Sequence, residues 1–352
     1  MNDTLVSVVI VNWNHGRFLG SCLDALHAQE FPSSLPRVGE DGSSGAPPAI
    51  EKVDIVVVDN GSSDGSPEWV RRSYPDVRLL AFPDNRGFSS AFNAGARSTD
   101  SPFVLSLNPD VTVRPDFIYE IVCTCCQDER IGIVAPKLLR ADDPRLLDST
   151  GLFIDRRRRP YDRGQGSVDQ GQYDGQPYVF GACGAAALYR RTMLDDLSLG
   201  GEYFDERFFA YYEDADLAWR AQLRGWRSAY APCAVAIHAR GWGDTLIKKG
   251  RIVKTPQGPR LALRNRYLMT IKNDALAGFL VDLPRIVTAE LPRLTYTALV
   301  APDALLGIVD LVRACPSTLR KRRQIRSRRT VDEKAVRQWF VAPEDASVGN
   351  VG

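Results

Sequence analysis

The sequence predicts an α/β fold with an open, mostly parallel sheet flanked by helices. Continuous β-branched and aliphatic runs occur at 5–12 and 53–58, and such runs are typical of strands buried on both faces of a parallel sheet. Between them, Phe18, Leu23 and Leu26 recur at helical spacing. Alternating strands and helices favour an open α/β sheet, in which ligands lie beyond the carboxyl ends of the strands.

The composition is that of an ordinary globular protein. The 352 residues are 44% hydrophobic and 25% charged, enough for one large domain plus an appendage. With 45 Lys and Arg against 43 Asp and Glu, we expect no nucleic-acid partner. Neither a basic leader nor an apolar run of roughly 20 residues is present, so we expect a cytoplasmic protein or one on a membrane face.

The seven cysteines are scattered and odd in number, which predicts buried thiols in a reducing compartment. Cys123, Cys125 and Cys126 lack a second Cys or His pair at metal-ligand spacing. We expect them to pack on a helix face rather than to bind a metal.

Further along the chain, polar loops follow the predicted strands. Residues 32–50 are rich in Pro, Gly and Ser and predict a flexible insertion. Successive strands then end in loops that hold Asp59, Asp84 and Asp110. Asp favours turns for its own hydrogen bonding, but three at one sheet edge favour a site for a charged ligand and a metal. Walker and dinucleotide glycine motifs are missing, which removes the main support for P-loop, kinase and dehydrogenase functions.

Residues 204–220, FDERFFAYYEDADLAWR, place the five aromatic side chains of 204–212 beside five carboxylates. Such a segment suggests a partly desolvated site in which a carboxylate becomes a useful proton acceptor. The alternative is an amphipathic helix whose first turn carries acids that complement its dipole. The crowding of acids among aromatics favours the catalytic interpretation.

Six motifs in order along the chain carry a family resemblance. They are VDNGSSDGS (58–66), NRGF followed by Asn93 (85–93), NPDV (108–111), GACGAAALYRR (181–191), FDERFFAYYEDADLAWR (204–220) and His238. Together they resemble family 2 glycosyltransferases, above all rhamnosyltransferase-like members with a GT-A fold. The resemblance implies a Rossmann-like GT-A catalytic domain over 1–245, with a nucleotide-sugar half at about 1–112 and an acceptor half at about 113–245.

The resemblance also implies roles for individual residues. Asp214 matches the general base that takes the proton of the acceptor hydroxyl in an inverting transfer, with Glu213 and Asp216 in support. Contacts with the nucleotide-sugar donor, dTDP- or UDP-linked, are expected from Asn12, Asp59, Asn60, Ser62, Arg86, Gly87, Asn93 and Asn108. Acceptor contacts are expected from Asp205, Tyr211 and Gly184, although Gly184 equally fits tight packing alone.

A divalent cation, Mg²⁺ or Mn²⁺, is implied by Asn108-Pro109-Asp110, which stands where the family has its D-x-D motif. Asp110 can bind a hard cation that bridges the donor phosphates, whereas Asn108 brings no charge. The resemblance implies His238 as a further ligand, and a structural histidine is the alternative.

The end of the chain predicts a helical, basic extension over 246–340 and a frayed tail at 341–352. Apolar residues between 283 and 294 share one helical face, prolines at 284, 292 and 302 are expected to break this region into short helices, and arginines crowd 313–329. This pattern fits an anionic membrane surface; packing on the catalytic domain is the alternative. A second basic run, 155–164, is either a solvated loop or a contact for a phosphate-bearing acceptor.

The sequence therefore predicts a metal-dependent, inverting glycosyltransferase of cell-wall or polysaccharide biosynthesis. Its expected donor is dTDP-L-rhamnose, and its expected acceptor is a polyprenyl-linked or cell-surface glycan. A sugar nucleotidyltransferase is one alternative, and an inactive membrane-associated glycan-assembly partner, hinted at by Asn108, is the other.

Overall fold

The computed structural model describes residues 4–31, 50, 52–240, 246–248, 251–253 and 257–342. The predicted insertion at 32–50, apart from Ile50, and most of the predicted tail at 341–352 lie outside the described residues.

Strands and helices alternate through the first half of the chain, and helices dominate its end. The strands are β1 (Thr4–Asn12), β2 (Lys52–Asn60), β3 (Arg78–Phe82), β4 (Phe103–Leu107), β5 (Val111–Val113), β6 (Ile131–Arg140), β7 (Leu147–Ser149), β8 (Leu152–Ile154), β9 (Pro160–Asp162), β10 (Tyr178–Val179), β11 (Ala186–Arg190), β12 (Arg227–His238), β13 (Leu246–Lys248) and β14 (Arg251–Val253). The helices are α1 (Gly16–His27), α2 (Ser66–Ser73), α3 (Phe88–Arg97), α4 (Phe117–Cys126), α5 (Arg191–Leu197), α6 (Glu213–Leu223), α7 (Gln257–Asn273), α8 (Leu276–Val300), α9 (Leu306–Ser327) and α10 (Glu333–Val336).

One mixed sheet organises the catalytic half, in the order β10-β12-β6-β11-β4-β1-β2-β3. The strands from β4 to β3 run parallel, while β11 is antiparallel to both β4 and β6. Side chains of β1 enter two separate cores, Val8 and Ile10 on one face and Val9 and Val11 on the other. Burial on both faces is why these strands are continuously apolar, and the predicted α/β architecture is confirmed.

The parallel strands bring their polar ends to one edge. Asn12 pairs in register with Asp59 across β1 and β2. Ile10 of β1 pairs with Leu107 of β4, the residue before Asn108. Three of the predicted site residues are thereby delivered to one edge of the sheet.

The C-terminal extension packs on the catalytic half, which was the alternative to membrane docking. Lys272 of α7 lies with its Nζ 2.8 Å from Asp205 Oδ2. Arg158, in the turn between β8 and β9, is 2.7 Å from Asp274 and 2.9 Å from Asp282. Among the described residues, no helix is both long and apolar enough to cross a membrane.

The expected breaks at two prolines are wrong. Helix α8 continues through Pro284 and Pro292, both of which are exposed. A proline removes one backbone hydrogen bond, and at an exposed position water can take up the carbonyl that is released. Pro302 does follow the end of α8, where a short 3₁₀ helix, Pro302–Leu305, begins.

Candidate active site

A cavity of about 410 Å³ opens where β4 and β12 end and α6 begins. The predicted residues that line it are Asn108, Gly184, Tyr211, Glu213, Asp214 and His238. Asp162 of β9 and Arg240 line it as well, and neither was identified from sequence. Residues from both predicted halves, the nucleotide-sugar half at about 1–112 and the acceptor half at about 113–245, therefore line this one cavity.

Asp214, in the first turn of α6, is held by two backbone N–H groups. Gly184 N donates to its Oδ2 at 2.9 Å, and Ala215 N donates to its Oδ1 at 2.7 Å. Burial raises the pKa of Asp214 against the opposing effect of these donors, and burial and the charge of Asp214 raise the pKa of Glu213. A carboxylate tuned upward in this way is a better proton acceptor near neutral pH.

Gly184 allows this contact because it has no side chain. A Cβ built on it would lie 3.2 Å from Asp214 Oδ2, closer than nearly all observed Cβ contacts. Gly184 therefore lets the backbone just before β11 approach the Asp214 carboxylate. The sequence around Gly184 suggested such a close approach.

The segment before Asp214 has an unusual backbone. Phe209, Tyr211 and Tyr212 have φ values of 63°, 74° and 72°, in the left-handed region that bulky residues rarely adopt. Gly87 presses against this segment, since a Cβ on it would lie 2.6 Å from Phe209 O. Gly87 thus joins the loop before α3 to the cavity wall.

At the strand ends, Asn12 and Asp59 form a buried polar cluster. Asn12 Nδ2 donates to Asp59 Oδ2 at 2.9 Å and to Ser66 Oγ at 2.8 Å. Ser62 N donates to Asp59 Oδ1 at 2.9 Å. Asp64 accepts from Ser66 N at 3.0 Å, so both acids form hydrogen bonds that shape this loop, and Asp59 is buried at the sheet edge.

Three predicted donor contacts make protein contacts instead. Asn60 accepts from Arg86 N at 2.8 Å, and so shapes the loop that follows β3. The Arg86 side chain is half-exposed, 3.5 Å from Asp84 Oδ1 and stacked over Phe82, and it does not line the cavity. Asn93 is fully buried, accepting from Phe204 N at 2.9 Å and donating to Phe204 O at 2.8 Å.

Asp205, a predicted acceptor contact, and Asp216, a predicted supporting residue, both belong to a buried ion network. Asp205 accepts from Lys272 at 2.8 Å and Lys321 at 2.9 Å; burial opposes but these ammonium groups hold the pKa of Asp205 well below its usual range. Asp216 is 2.8 Å from Lys272 and 3.0 Å from Arg220. Their carboxylates attach α7 and α9 to the segment at 204–220, and neither residue lines the cavity.

Asp110 and His238 face each other beside the cavity, which His238 lines and Asp110 does not. His238 Nε2 is 3.5 Å from Asp110 Oδ2, and its Nδ1 is 2.7 Å from Asp148 Oδ2. Asp148 also pairs with Arg240. Burial lowers the pKa of His238, but hydrogen bonds to Asp110 and Asp148 outweigh it and raise the pKa to about 9.

This pair fits a hard divalent cation in part. Asp148 orients the imidazole from behind, as the outer carboxylate of a metal-bound histidine does, and a cation would replace the proton on Nε2. The described residues contain no group of three or more His, Cys, Asp or Glu side chains able to hold a metal. The remaining ligands would be donor phosphates and water, which is common for Mg²⁺.

Asp148, Asp162 and Arg240 had no local signal in the sequence. Asp162 lies in the arginine-rich run 155–164, where nothing in the neighbouring sequence marks it as a site residue. Burial and the negative charges of Asp148 and Asp214 raise its pKa to about 6. Only the folding of the β8–β9 hairpin against the sheet brings it to the cavity.

Comparison with known proteins identifies the family. The model described as "Glycosyl transferase family 2" matches residues 7–198. A curated Mycobacterium tuberculosis protein, N-acetylglucosaminyl-diphospho-decaprenol L-rhamnosyltransferase, is 29% identical over 249 residues, which are 60% of this chain and 71% of that protein.

Solved structures share the fold. Staphylococcus aureus TarS in complex with UDP-GlcNAc aligns with a TM-score of 0.55 at 15% identity, over 95% of this chain and 90% of that one. A Pyrobaculum calidifontis mannosyltransferase in complex with GDP-Man and Mn²⁺ aligns with a TM-score of 0.50 at 20% identity, over 89% and 75%. The predicted GT-A fold is confirmed.

The charge state of His238 predicts a pH dependence of stability. Its folded pKa of about 9 lies above the ordinary 6.5, so the protonated ring stabilises the fold fully below about pH 6.5 and loses that effect as pH rises through 9. In metal-free buffer, the free energy of unfolding should fall from pH 6.5 to 9.5, and should fall less in His238→Gln. Urea denaturation checks this; parallel curves for the two proteins would contradict it.

Proposed function

The chain belongs to glycosyl transferase family 2 and is a glycosyltransferase, and from this premise we propose that it transfers L-rhamnose from dTDP-L-rhamnose to a hydroxyl of a polyprenyl-diphosphate-linked glycan. The observation that carries the proposal is the Asp214 carboxylate, half-exposed in a cavity that Asn108 and His238 also line. The M. tuberculosis relative supports rhamnose and a lipid-linked acceptor, because its name specifies both. Because the chain belongs to a glycosyltransferase family, the nucleotidyltransferase alternative is dropped.

The reaction is a single displacement. The acceptor oxygen bonds to the anomeric carbon as the bond from that carbon to the phosphate oxygen breaks, and the nucleoside diphosphate leaves with the electron pair. The hydroxyl proton passes to Asp214, which Gly184 N and Ala215 N hold in place. Attack from the face opposite the leaving group inverts the anomeric centre.

On the donor side, the amide of Asn12, the carboxylate of Asp59 and the hydroxyl of Ser62 lie together at the sheet edge, with Asn12 and Asp59 buried and Ser62 half-buried. Such groups match the N–H of a pyrimidine base and the hydroxyls of the sugar attached to it. Asp110 and His238 would hold the divalent cation, Mg²⁺ or Mn²⁺, which offsets the negative charge on the leaving diphosphate.

Exposed apolar side chains on α8 and the start of α9 support the proposal that the acceptor is linked to a lipid. These side chains belong to Leu276, Leu280, Val281, Val287, Leu291, Tyr296, Leu299, Val300, Leu306, Ile308, Val309 and Val312, each at least 40% exposed. Exposed Arg285, Arg313, Arg320 and Arg323 lie on the same helices. We infer that this apolar-basic surface docks on an anionic bilayer.

Only part of the predicted basic cluster is available for lipid. Lys321 pairs with Asp205 and Glu202, and Arg322 donates to Ile271 O. Arg328 donates to Ser198 O at 3.1 Å. Arg326 and Arg329 pair with Glu333, and the exposed Arg320 and Arg323 remain to attract anionic headgroups.

The β8–β9 hairpin connects the cavity with this surface. Its β9 strand lines the cavity, while Arg158 in its turn binds Asp274 and Asp282 beside α8. In the same turn, the exposed side chains of Arg156 and Arg157 have no hydrogen bond or ion pair with other described residues. They are suitably charged to bind the diphosphate of a lipid-linked acceptor.

Asp214→Asn should lower transfer about 10²- to 10⁴-fold, because the amide cannot accept the hydroxyl proton. Nucleotide binding, measured by calorimetry with dTDP, should stay within about twofold, since the affected atom is the base and not a donor contact. Asp142→Asn, an exposed acid paired with Arg140, is the matched control and should retain full activity. Wild-type transfer by Asp214→Asn would refute the base assignment.

Chelation with EDTA should abolish transfer, and added Mg²⁺ or Mn²⁺ should restore it. Asp110→Asn should require roughly 10-fold more metal for half-maximal rate or worse, because the amide loses the charge that attracts the cation. Metal titrations of the transfer rate measure this. Activity that is indifferent to EDTA in the wild type would remove the cation from the mechanism.

The triple variant Leu280→Glu, Leu291→Glu, Leu299→Glu should lose at least about tenfold in vesicle binding. Even one leucine that becomes buried in the bilayer contributes about 1.5–3 kcal/mol to binding, and about 1.4 kcal/mol corresponds to a factor of ten. Flotation with phosphatidylglycerol vesicles measures the binding. Val168→Glu, at an equally exposed valine on another surface (51%), is the matched control. Truncation near Asp274 is less informative, because it also removes Asp282 and Lys321, which bind the catalytic half.

Equal flotation of the triple variant and the Val168 control would refute docking through α8. A triple variant that loses flotation but keeps transfer to a soluble acceptor analogue would show that membrane docking and sugar transfer are separate functions of the chain.

A further inference from the structure

We propose that Asn265 of α7 is a positioning residue for catalysis: it holds the left-handed segment 208–212 so that Asp214 stays aligned in the cavity. The proposal rests on the proposed role of Asp214 as the base. It assigns to the C-terminal extension a part in the reaction, although Asn265, like Asp214, lies beyond the residues 7–198 that match the family model.

The geometry centres on one side-chain amide. Asn265 Nδ2 donates to Phe208 O and Ala210 O at 2.8 Å and to Tyr211 O at 2.9 Å. Its side chain is fully buried. An amide nitrogen has only two hydrogens, so at least one is shared between carbonyls, and all three acceptors converge on a single point of α7.

The neighbouring residue fixes which end of the amide faces the segment. Arg264 Nε donates to Asn265 Oδ1 at 2.9 Å, so the oxygen is occupied and the nitrogen points to the carbonyls. Arg264 Nη2 adds hydrogen bonds to Arg207 O at 2.6 Å and to Phe208 O at 3.2 Å. Helix α7 thus supplies donors to the carbonyls of residues 207, 208, 210 and 211.

The segment needs such donors because its backbone is strained. Positive φ at Phe209, Tyr211 and Tyr212 is energetically unfavourable at each position, and such conformations persist only where surroundings over-determine them. Phe208 and Ala210, whose carbonyls bond to Asn265, are buried, and Tyr211 is partly buried. Without a partner, each would carry a desolvation cost as well.

The strained segment leads directly into the base. Tyr212 is the N-cap of α6, and its carbonyl accepts from Asp216 N at 2.9 Å. Asp214 lies between these two residues, with its carboxylate aligned on Gly184 N. A shift of residues 208–212 therefore moves the first turn of α6 and with it the atom that receives the proton.

The same segment also touches the donor side. Phe209 O accepts from Ser89 N at 3.2 Å, and Phe209 packs against Gly87. Asn265 therefore acts on a loop that contacts the start of α3, lines the cavity through Tyr211 and Tyr212, and ends at the base.

The test uses the full chain with Asn265→Asp, which keeps the shape but removes the donors, and Asn265→Ala. Lys137→Met is the matched control, since Lys137 is another buried donor, with its Nζ 3.1 Å from Asp169 and 3.0 Å from Asp174, and it belongs neither to the cavity lining nor to the contacts of residues 208–212. Transfer is assayed with dTDP-L-rhamnose and a GlcNAc-diphospho-lipid. Hydrogen exchange of peptides covering 205–216 and 181–188 gives a readout that needs no substrate.

We expect Asn265→Asp to lower kcat about 10²-fold while the donor KM stays within about threefold, since small misplacement of a catalytic group has effects of that order. Exchange at 205–216 and 181–188 should accelerate about tenfold or more. Lys137→Met should lower the thermal midpoint to a similar degree, with kcat within about threefold of wild type. This split separates positioning from general loss of stability.

Wild-type kcat in Asn265→Asp, or unchanged exchange in both peptides, would overturn the proposal. Losses of kcat that simply follow the thermal midpoint in all three variants would overturn it too. Asp214→Asn is assayed in parallel: if that variant remains active, the base assignment fails, and the exchange data still decide whether Asn265 holds the segment.

Discussion

The buried ammonium of Lys272 is the interaction on which the site depends. Its Nζ lies 2.8 Å from both Asp205 and Asp216, which stand before and after the strained segment at 208–212. Burying three charges is expensive, and such networks often contribute little net stability compared with an apolar core. What the network does supply here is geometry, because it fixes both ends of the segment against α7.

Helix α7 therefore acts on the site in two ways. Lys272 holds the flanks of the segment through ion pairs, and Asn265, two turns earlier, holds its middle through hydrogen bonds to carbonyls. The cost of left-handed backbone at three aromatic residues is offset by contacts from a different part of the chain. The result is that the carboxylate of Asp214, the proposed base, has a fixed direction.

Much of the fold and the general position of the site followed from local patterns. Doubly buried strands are recognisable because both faces are apolar, and parallel strands bring Asn12, Asp59 and Asn108 to one edge by topology alone. The roles of Asp205 and Asn93 could not be inferred in this way. Their partners lie 67 and 111 residues away, and an acid among aromatics looks the same whether it faces a substrate or a buried lysine.

The acids of the 204–220 segment illustrate why burial alone does not identify a base. Asp205 and Asp216 are more deeply buried than Asp214, yet each faces ammonium or guanidinium groups that keep it charged and occupied. Asp214 receives only neutral backbone donors, and burial raises its pKa. Burial also raises the pKa of Glu213 beside it, but two backbone N–H groups hold the carboxylate of Asp214 alone of this pair within the described residues. A proton acceptor needs an open side and no cationic partner, and within this segment Asp214 meets both conditions.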